Sequence, residues 1–288
     1  MNTPITTIAT MIQLNVWLDE VFFWLWIFVI AFLIFHFTLL IITGRFRNQF
    51  INGNWPEHDE RPGATPKWIH GIHMVGIILL AITGMAIRFP GWLPREPMRN
   101  IHYFWMVVVI ITFVWRIWYA FWSKRKDWGE FAIRKRDIVT IPGVLAYYGY
   151  FSNSKPHVAK YNALQKMSYF LFIIMMLVQA ITGILLIPLL INAVGIPALL
   201  VWYMRTLHFV LNWLFIIMMT VHFYLAFSVD IPASLDFFGI GELKVTPHGE
   251  GHGDAHGAAP ATDPALAAAA PLPTSPDPVP APPGQLPT

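Results

Sequence analysis

Residues 205–230, RTLHFVLNWLFIIMMTVHFYLAFSVD, are apolar over a length that crosses a bilayer, yet they carry two histidines, His208 and His222. Fourteen residues on a helix are almost four full turns, so both imidazoles leave one face, about 21 Å apart along the axis. Each then lies near one edge of the membrane. Ionisable side chains inside a spanning helix are costly and mark functional sites. Two imidazoles stacked in this way point to two metal centres on opposite sides, whose other ligands must come from elsewhere in the chain.

The composition suits such a helix. The chain has 288 residues, 56% of them hydrophobic and only 12% charged, which is the balance of an integral membrane protein and not of a soluble domain. It contains no cysteine, which excludes thiolate metal sites, iron–sulfur clusters, covalently attached haem and disulfides together. Any metal centre has to rely on histidine. The net charge of +3 arises from loop residues explained by membrane topology, so nothing points to nucleic acid.

Five apolar runs of spanning length are expected: 21–44, 68–87, a third from about residue 100 to 116–122, 167–190 and 205–230. The first follows Asp19 and Glu20 with no preceding Lys or Arg and no small-residue cleavage site, which argues against a signal peptide. Its lone His36 is expected to make a helix–helix hydrogen bond. Of the 19 Lys and Arg residues, 4 lie in 44–67, 10 in 116–166, and Lys244 in the tail; the other side holds Arg88, Arg95, Arg99 and Arg205. The positive-inside bias therefore puts the N-terminus outside and the C-terminus in the cytoplasm. The expected organisation is an N-terminal segment with one transmembrane helix (1–44), a cytoplasmic loop (45–67), a four-helix core (68–230) and a disordered tail (231–288). Within that tail His248, His252 and His256 are expected to be solvated, not metal ligands.

Topology pairs the histidines by depth. The second span enters from inside, so His70 and His73 lie near the cytoplasmic edge; the third enters from outside, so His102 lies near the outer edge. The fifth places His208 outer and His222 inner. His102 can meet His208, and His70 or His73 can meet His222. Two bis-imidazole sites are what two b-type haems require. Polar helix contacts or a proton path would explain one such histidine, but four at two matched depths favour haem. The sequence AITG, ending once at Gly84 and again at Gly183, supplies small residues beside which a flat macrocycle can pack.

These residues resemble a known family. The WIH motif with Gly84 fourteen residues after His70, IHYFW with Arg116 fourteen after His102, YNALQK at 161–166 and the His208–His222 spacing are similar to the dihaem cytochrome b membrane subunit of periplasmic formate dehydrogenases and nickel–iron hydrogenases. The resemblance covers about residues 66–230. It implies an all-α membrane protein, a four-helix cytochrome b bundle here carrying one extra N-terminal transmembrane helix. It also implies an inner haem on His70 and His222 and an outer haem on His102 and His208. The family spacing selects His70, leaving His73 as the alternative ligand. A quinone (menaquinone or ubiquinone) is implied beside the inner haem, near Asn162, with Tyr161 and Gln165 as further candidates. Leu164 departs from the glycine often found in the formate dehydrogenase motif. Arg99 and Arg205 outside, and Lys67 and Arg116 inside, are placed either to neutralise propionates or as ordinary flanking charge.

The function implied is that of a multi-pass anchor in a bacterial-type cytoplasmic membrane. It would carry electrons from the iron–sulfur and catalytic subunits of an extracytoplasmic hydrogenase or formate dehydrogenase to the quinone pool. The chain has no group of its own for oxidising hydrogen or formate, so primary substrate chemistry would belong to the complex. Two other readings are a quinol-oxidising subunit feeding a thiosulfate- or polysulfide-type reductase, and a haem-free transporter or proton channel. The last is disfavoured because paired mid-depth helix breaks are missing and Pro188 lies near a helix end.

Overall fold

Among the described residues, five helices are long and apolar enough to cross a membrane: α1 (Pro4–Ile42), α2 (Ala64–Arg88), α3 (Arg95–Trp122), α6 (Ala163–Leu185) and α8 (Ala198–Val229). Shorter helices link or follow them: α4 (Trp128–Phe131), α5 (Lys135–Tyr148), α7 (Pro188–Val194) and α9 (Ile231–Phe237). The structure, a computed structural model, describes residues 4–55, 63–91, 93–152 and 161–241, and among these there is no strand. The tail histidines His248, His252 and His256 lie outside the described residues.

The helices start earlier than the apolar runs suggest, for local reasons. Helix α1 begins at Pro4 instead of residue 21, continuing through Asp19 because that carboxylate has partners inside the fold: Arg88 Nε at 2.9 Å and Trp213 Nε1 at 3.1 Å both donate to it. Helix α6 begins a turn early. The Asn162 side chain accepts from the Gln165 backbone N–H at 3.0 Å and the Gln165 side chain accepts from the Asn162 N–H at 2.9 Å, a reciprocal capping box. It ends at Leu185, and Pro188, lacking an N–H, opens α7. Residues 231–237 of the segment expected to be disordered are helical. Asp230 caps α9 through the Ala233 N–H, and Asp236 pairs with Lys67 at 2.8 Å, so this part of the chain is anchored to the start of α2.

Helices α2 and α3 form a close antiparallel hairpin. At Gly76 a Cβ would collide with Val109, so only glycine permits this approach. Helix α8 packs on α6, α2 and α1. At the centre, buried Met175, Leu211 and Phe215 gather Ile77, Phe172 and Met218 around them. Leu211, Phe215 and Met218 lie between His208 and His222 in α8, so the two histidine levels are separated by an apolar layer.

Helix α1 runs parallel to α8 and is held by a polar ladder along its length. Thr206 Oγ1 donates to Asn15 Oδ1 at 2.8 Å, Trp213 to Asp19, and Trp26 Nε1 to Thr220 Oγ1 at 3.0 Å. At the far end His36 Nδ1 lies 2.5 Å from Tyr224 Oη, and its Nε2 lies 2.8 Å from the Tyr148 carbonyl. Lipid provides no hydrophobic drive for helix association, so such contacts and close packing must hold the pair. His36 is thus a helix–helix hydrogen-bonding residue.

The basic connector after α3 is also built around polar contacts. Arg116 makes a two-pronged pair with buried Asp127, both distances 3.1 Å. Lys166, 3% exposed, donates to Asp137 Oδ2 at 2.9 Å and to the Ala132 carbonyl at 3.1 Å. Burial by itself raises the Asp137 carboxyl. The hydrogen bonds from Lys166 and the Arg134 N–H, with the nearby Lys166 and Arg136 charges, outweigh it and hold the group below the usual carboxylate range.

Replacing Lys166 by Met leaves a buried, unpaired carboxylate and should cost about 3–5 kcal/mol, whereas K166M together with D137L should recover most of the loss. Thermal melts of the detergent-solubilised protein, followed by circular dichroism, measure both. Since the folded carboxyl is depressed, its stabilisation is complete above the ordinary carboxylate pKa and is lost as pH falls through the lower folded value. The gap between wild type and K166M should therefore close in strong acid; a gap independent of pH contradicts the assignment.

Candidate functional site: two facing histidine pairs

Helix α8 presents His208 and His222 one turn short of its middle and near its end, and a second histidine meets each. His102, in the second turn of α3, faces His208 with ring centres 6.3 Å apart and planes inclined at 64°. His70, early in α2, faces His222 at 6.2 Å and 57°. A metal–imidazole bond is about 2.0–2.1 Å and the nitrogen lies roughly 1 Å from its ring centre, so an ion held between two such rings separates the centres by about 6 Å. Both pairs have that separation. His73 makes no ring contact with His222, and its Nε2 is buried without a hydrogen-bond partner among the described residues.

The His102–His208 pair borders an open-sided cavity, lined also by Gly84, Gly183, Arg88 and Asn212. A Cβ on Gly84 would come 3.5 Å from His102 Cε1, and one on Gly183 would come 3.1 Å from His208 Cε1. Gly183 therefore clears the flank of His208, while Gly84 lies at ordinary contact range from His102. Thr83 and Thr182, the residues preceding them, place Oγ1 2.9 Å from Nδ1 of His102 and His208 respectively. Each hydroxyl donates to its own helix, to the Leu79 carbonyl at 2.6 Å and the Val178 carbonyl at 2.8 Å, so its oxygen accepts from the imidazole Nδ1–H. Nε2 then carries the lone pair. On His208 that atom is met by the Gln179 amide at 3.3 Å, while Gln179 Oε1 is buried with no partner among the described residues. Space, tautomer and an orphaned amide together suit a flat group ligated between the rings.

At the opposite level Phe237 of α9 packs on His70 at 5.0 Å between ring centres. The four cations read as propionate candidates have other contacts. Lys67 pairs with Asp236, Arg116 with Asp127 and Arg99 with Glu96, and Arg205 lies over the Trp202 ring. Arg88, in sequence only one of the outer-side cations, lines the cavity instead, with Asp19 of α1 as its partner. An acidic residue on the border of a long apolar run was the available signal for that contact.

The YNALQK segment is tightly engaged. Asn162 and Gln165 cap α6, Tyr161 stacks on Phe131 with centres 5.2 Å apart, and Lys166 is buried on Asp137. Burial raises the Tyr161 hydroxyl well above its usual pKa, so it stays protonated. Asn162 Nδ2 makes one long contact, 3.5 Å to Tyr148 Oη, which leaves it a donor to spare. Tyr148 also lines a second, smaller cavity with His36, Arg45, Gln49 and Ser228.

Among curated proteins none matches the chain. A family model described as prokaryotic cytochrome b561 matches residues 63–233, which run from the start of α2 into α9 and include all four paired histidines. The chain belongs to this family, whose members are membrane cytochromes b that bind b-type haem.

Proposed function

We propose that this chain is the dihaem membrane anchor of a respiratory oxidoreductase, carrying electrons from an extracytoplasmic hydrogenase or formate dehydrogenase to quinone. The observation that carries the proposal is the pair of facing imidazoles at each of two levels along α8, with centre separations of 6.3 and 6.2 Å. Haem b bound at each level supplies a reversible one-electron iron couple. The chain supplies everything around it. His102 and His208 would hold the outer group and His70 and His222 the inner one, while Met175, Leu211 and Phe215 put apolar side chains between the levels.

The excess of Lys and Arg in 44–67 and 116–166 supports an inner face that carries the His70–His222 pair and the α4–α5 connector. Asn162 belongs to that face. Its free amide hydrogen suits a quinone carbonyl, with Tyr161 and Gln165 nearby, and protons for the reduced quinone would enter from the cytoplasmic side. Electrons moving inward while protons are consumed inside would build a membrane potential. Oxidation of hydrogen or formate requires the iron–sulfur and catalytic subunits of the partner.

Purified protein should give two b haems per chain by pyridine haemochrome, and a count below two overturns the proposal. His208→Ala should abolish the outer haem and electron entry. His222→Ala should leave the outer haem reducible by the donor while quinone reduction stops. Equal phenotypes with both haems retained contradict the pairing. Because Asn162 also caps α6, the informative substitution there is Asn162→Ser, which keeps a capping oxygen and removes the amide donor. Both haems should remain and quinone turnover should fall roughly tenfold, the equivalent of one hydrogen bond of about 1.4 kcal/mol. Unchanged turnover places the quinone elsewhere.

A further inference from the structure

We propose that the AITG repeat is a device built twice into the fold, in which Thr83 and Thr182 act as positioning residues. They hold both outer histidines in one tautomer and poise the outer centre at a lower reduction potential than the inner. The inference rests on the dihaem reading and adds to it a difference between the two centres.

The two copies act on different helices in the same way. Residues 81–84 of α2 address His102 of α3, and residues 180–183 of α6 address His208 of α8. In each, the threonine oxygen lies 2.9 Å from Nδ1 of the histidine on the neighbouring helix. In each, the hydroxyl proton is committed to the carbonyl four residues back in its own helix. A hydroxyl rotates freely in general, but one whose proton is so engaged can only accept. Nδ1 must therefore carry hydrogen, and Nε2 is left as the metal-binding atom. In the second copy the glycine also removes a side chain that would press on the imidazole, since a Cβ on Gly183 would approach His208 Cε1 to 3.1 Å; a Cβ on Gly84 would stand at an ordinary 3.5 Å from His102 Cε1. One short sequence thus fixes the proton and the rotation of each ring, and in the second copy its clearance as well.

The inner pair lacks this support: among the described residues no hydrogen bond reaches the ring of His70 or His222. A hydrogen bond accepted from Nδ1–H pushes electron density toward Nε2 and makes the ligand more basic. A more basic ligand favours the oxidised metal, and two acting together favour it more. The outer centre should therefore be the poorer electron acceptor and the inner one the better, which makes inward transfer downhill. The threonines touch neither iron nor substrate; they work through the histidines.

The test uses the full chain with both haems, in detergent, with Thr83→Val, Thr182→Val and the double substitution. Valine keeps the shape and loses the acceptor, whereas Thr→Ser keeps it. The readouts are the midpoint potential of each b haem by potentiometric titration and the low-spin ferric signal by electron paramagnetic resonance. His208→Ala identifies which signals belong to the outer centre. In the valine variants the outer midpoint should shift upward and its paramagnetic signal should change. The double variant should shift most, the inner centre should stay in place, and serine should restore the wild-type values. If Thr→Val loses the outer haem while Thr→Ser retains it at the original potential, the hydroxyl is again shown to be required. An unmoved outer midpoint and signal in the double valine variant overturns the inference, as does loss of the outer haem in the serine and valine variants alike. Wild-type protein with fewer than two haems instead overturns the dihaem reading on which it rests.

Discussion

A polar side chain carried into hydrocarbon must find its partner inside the protein, and this requirement organises the bundle around α8. From one end to the other, Thr206, His208, Trp213, Thr220, His222 and Tyr224 each meet a group on another helix. Lipid provides no hydrophobic drive for association. The contacts of these residues therefore determine which helix lies on which side of α8: α1 along the Thr206–Trp213–Thr220–Tyr224 face, α3 and α6 at His208, and α2 at His222. The histidine pairs are members of this set, so the same constraint that assembles the bundle also assembles the sites.

The two ends are built differently. At the His102–His208 end the imidazoles are clamped by threonine, flanked by glycine and bordered by a cavity that the Arg88–Asp19 pair helps to line. At the His70–His222 end, α9 returns to place Phe237 on His70 and Asp236 on Lys67, and the connector is locked by Arg116–Asp127 and Lys166–Asp137. Helix α1 serves both ends. It brings Asp19 to one cavity and His36 to a smaller one lined by Tyr148, Gln49 and Ser228. An added helix that lines both cavities is more than a lipid-facing strut.

Motifs in this chain also carry more structural duty than their chemistry alone suggests. YNALQK suggests a ligand-binding segment by its resemblance, yet Asn162 and Gln165 satisfy the open end of α6 and Lys166 closes a buried ion pair. A remaining amide hydrogen on Asn162 is compatible with both roles. AITG, conversely, reads in sequence as a pair of small packing residues, and in the structure its threonine is the atom that touches the histidine.

The number of spans, their order and the matched depths of the histidines were legible from apolar run length, the 1.5 Å helical rise and the loop cations, because each depends only on spacing along the chain. His36 as a helix contact was legible too, though its tyrosine partners were not. What the tertiary structure alone decided is which atoms meet. It gives Thr83 and Thr182 to His102 and His208, and pairs Asp19 with Arg88. It also starts α1 and α8 well before their apolar cores and makes residues 231–237 a helix. Spacing fixes a residue's depth and helical face within one segment. The partner depends on how separate helices rotate and approach, and that is settled by contacts between residues far apart in the chain.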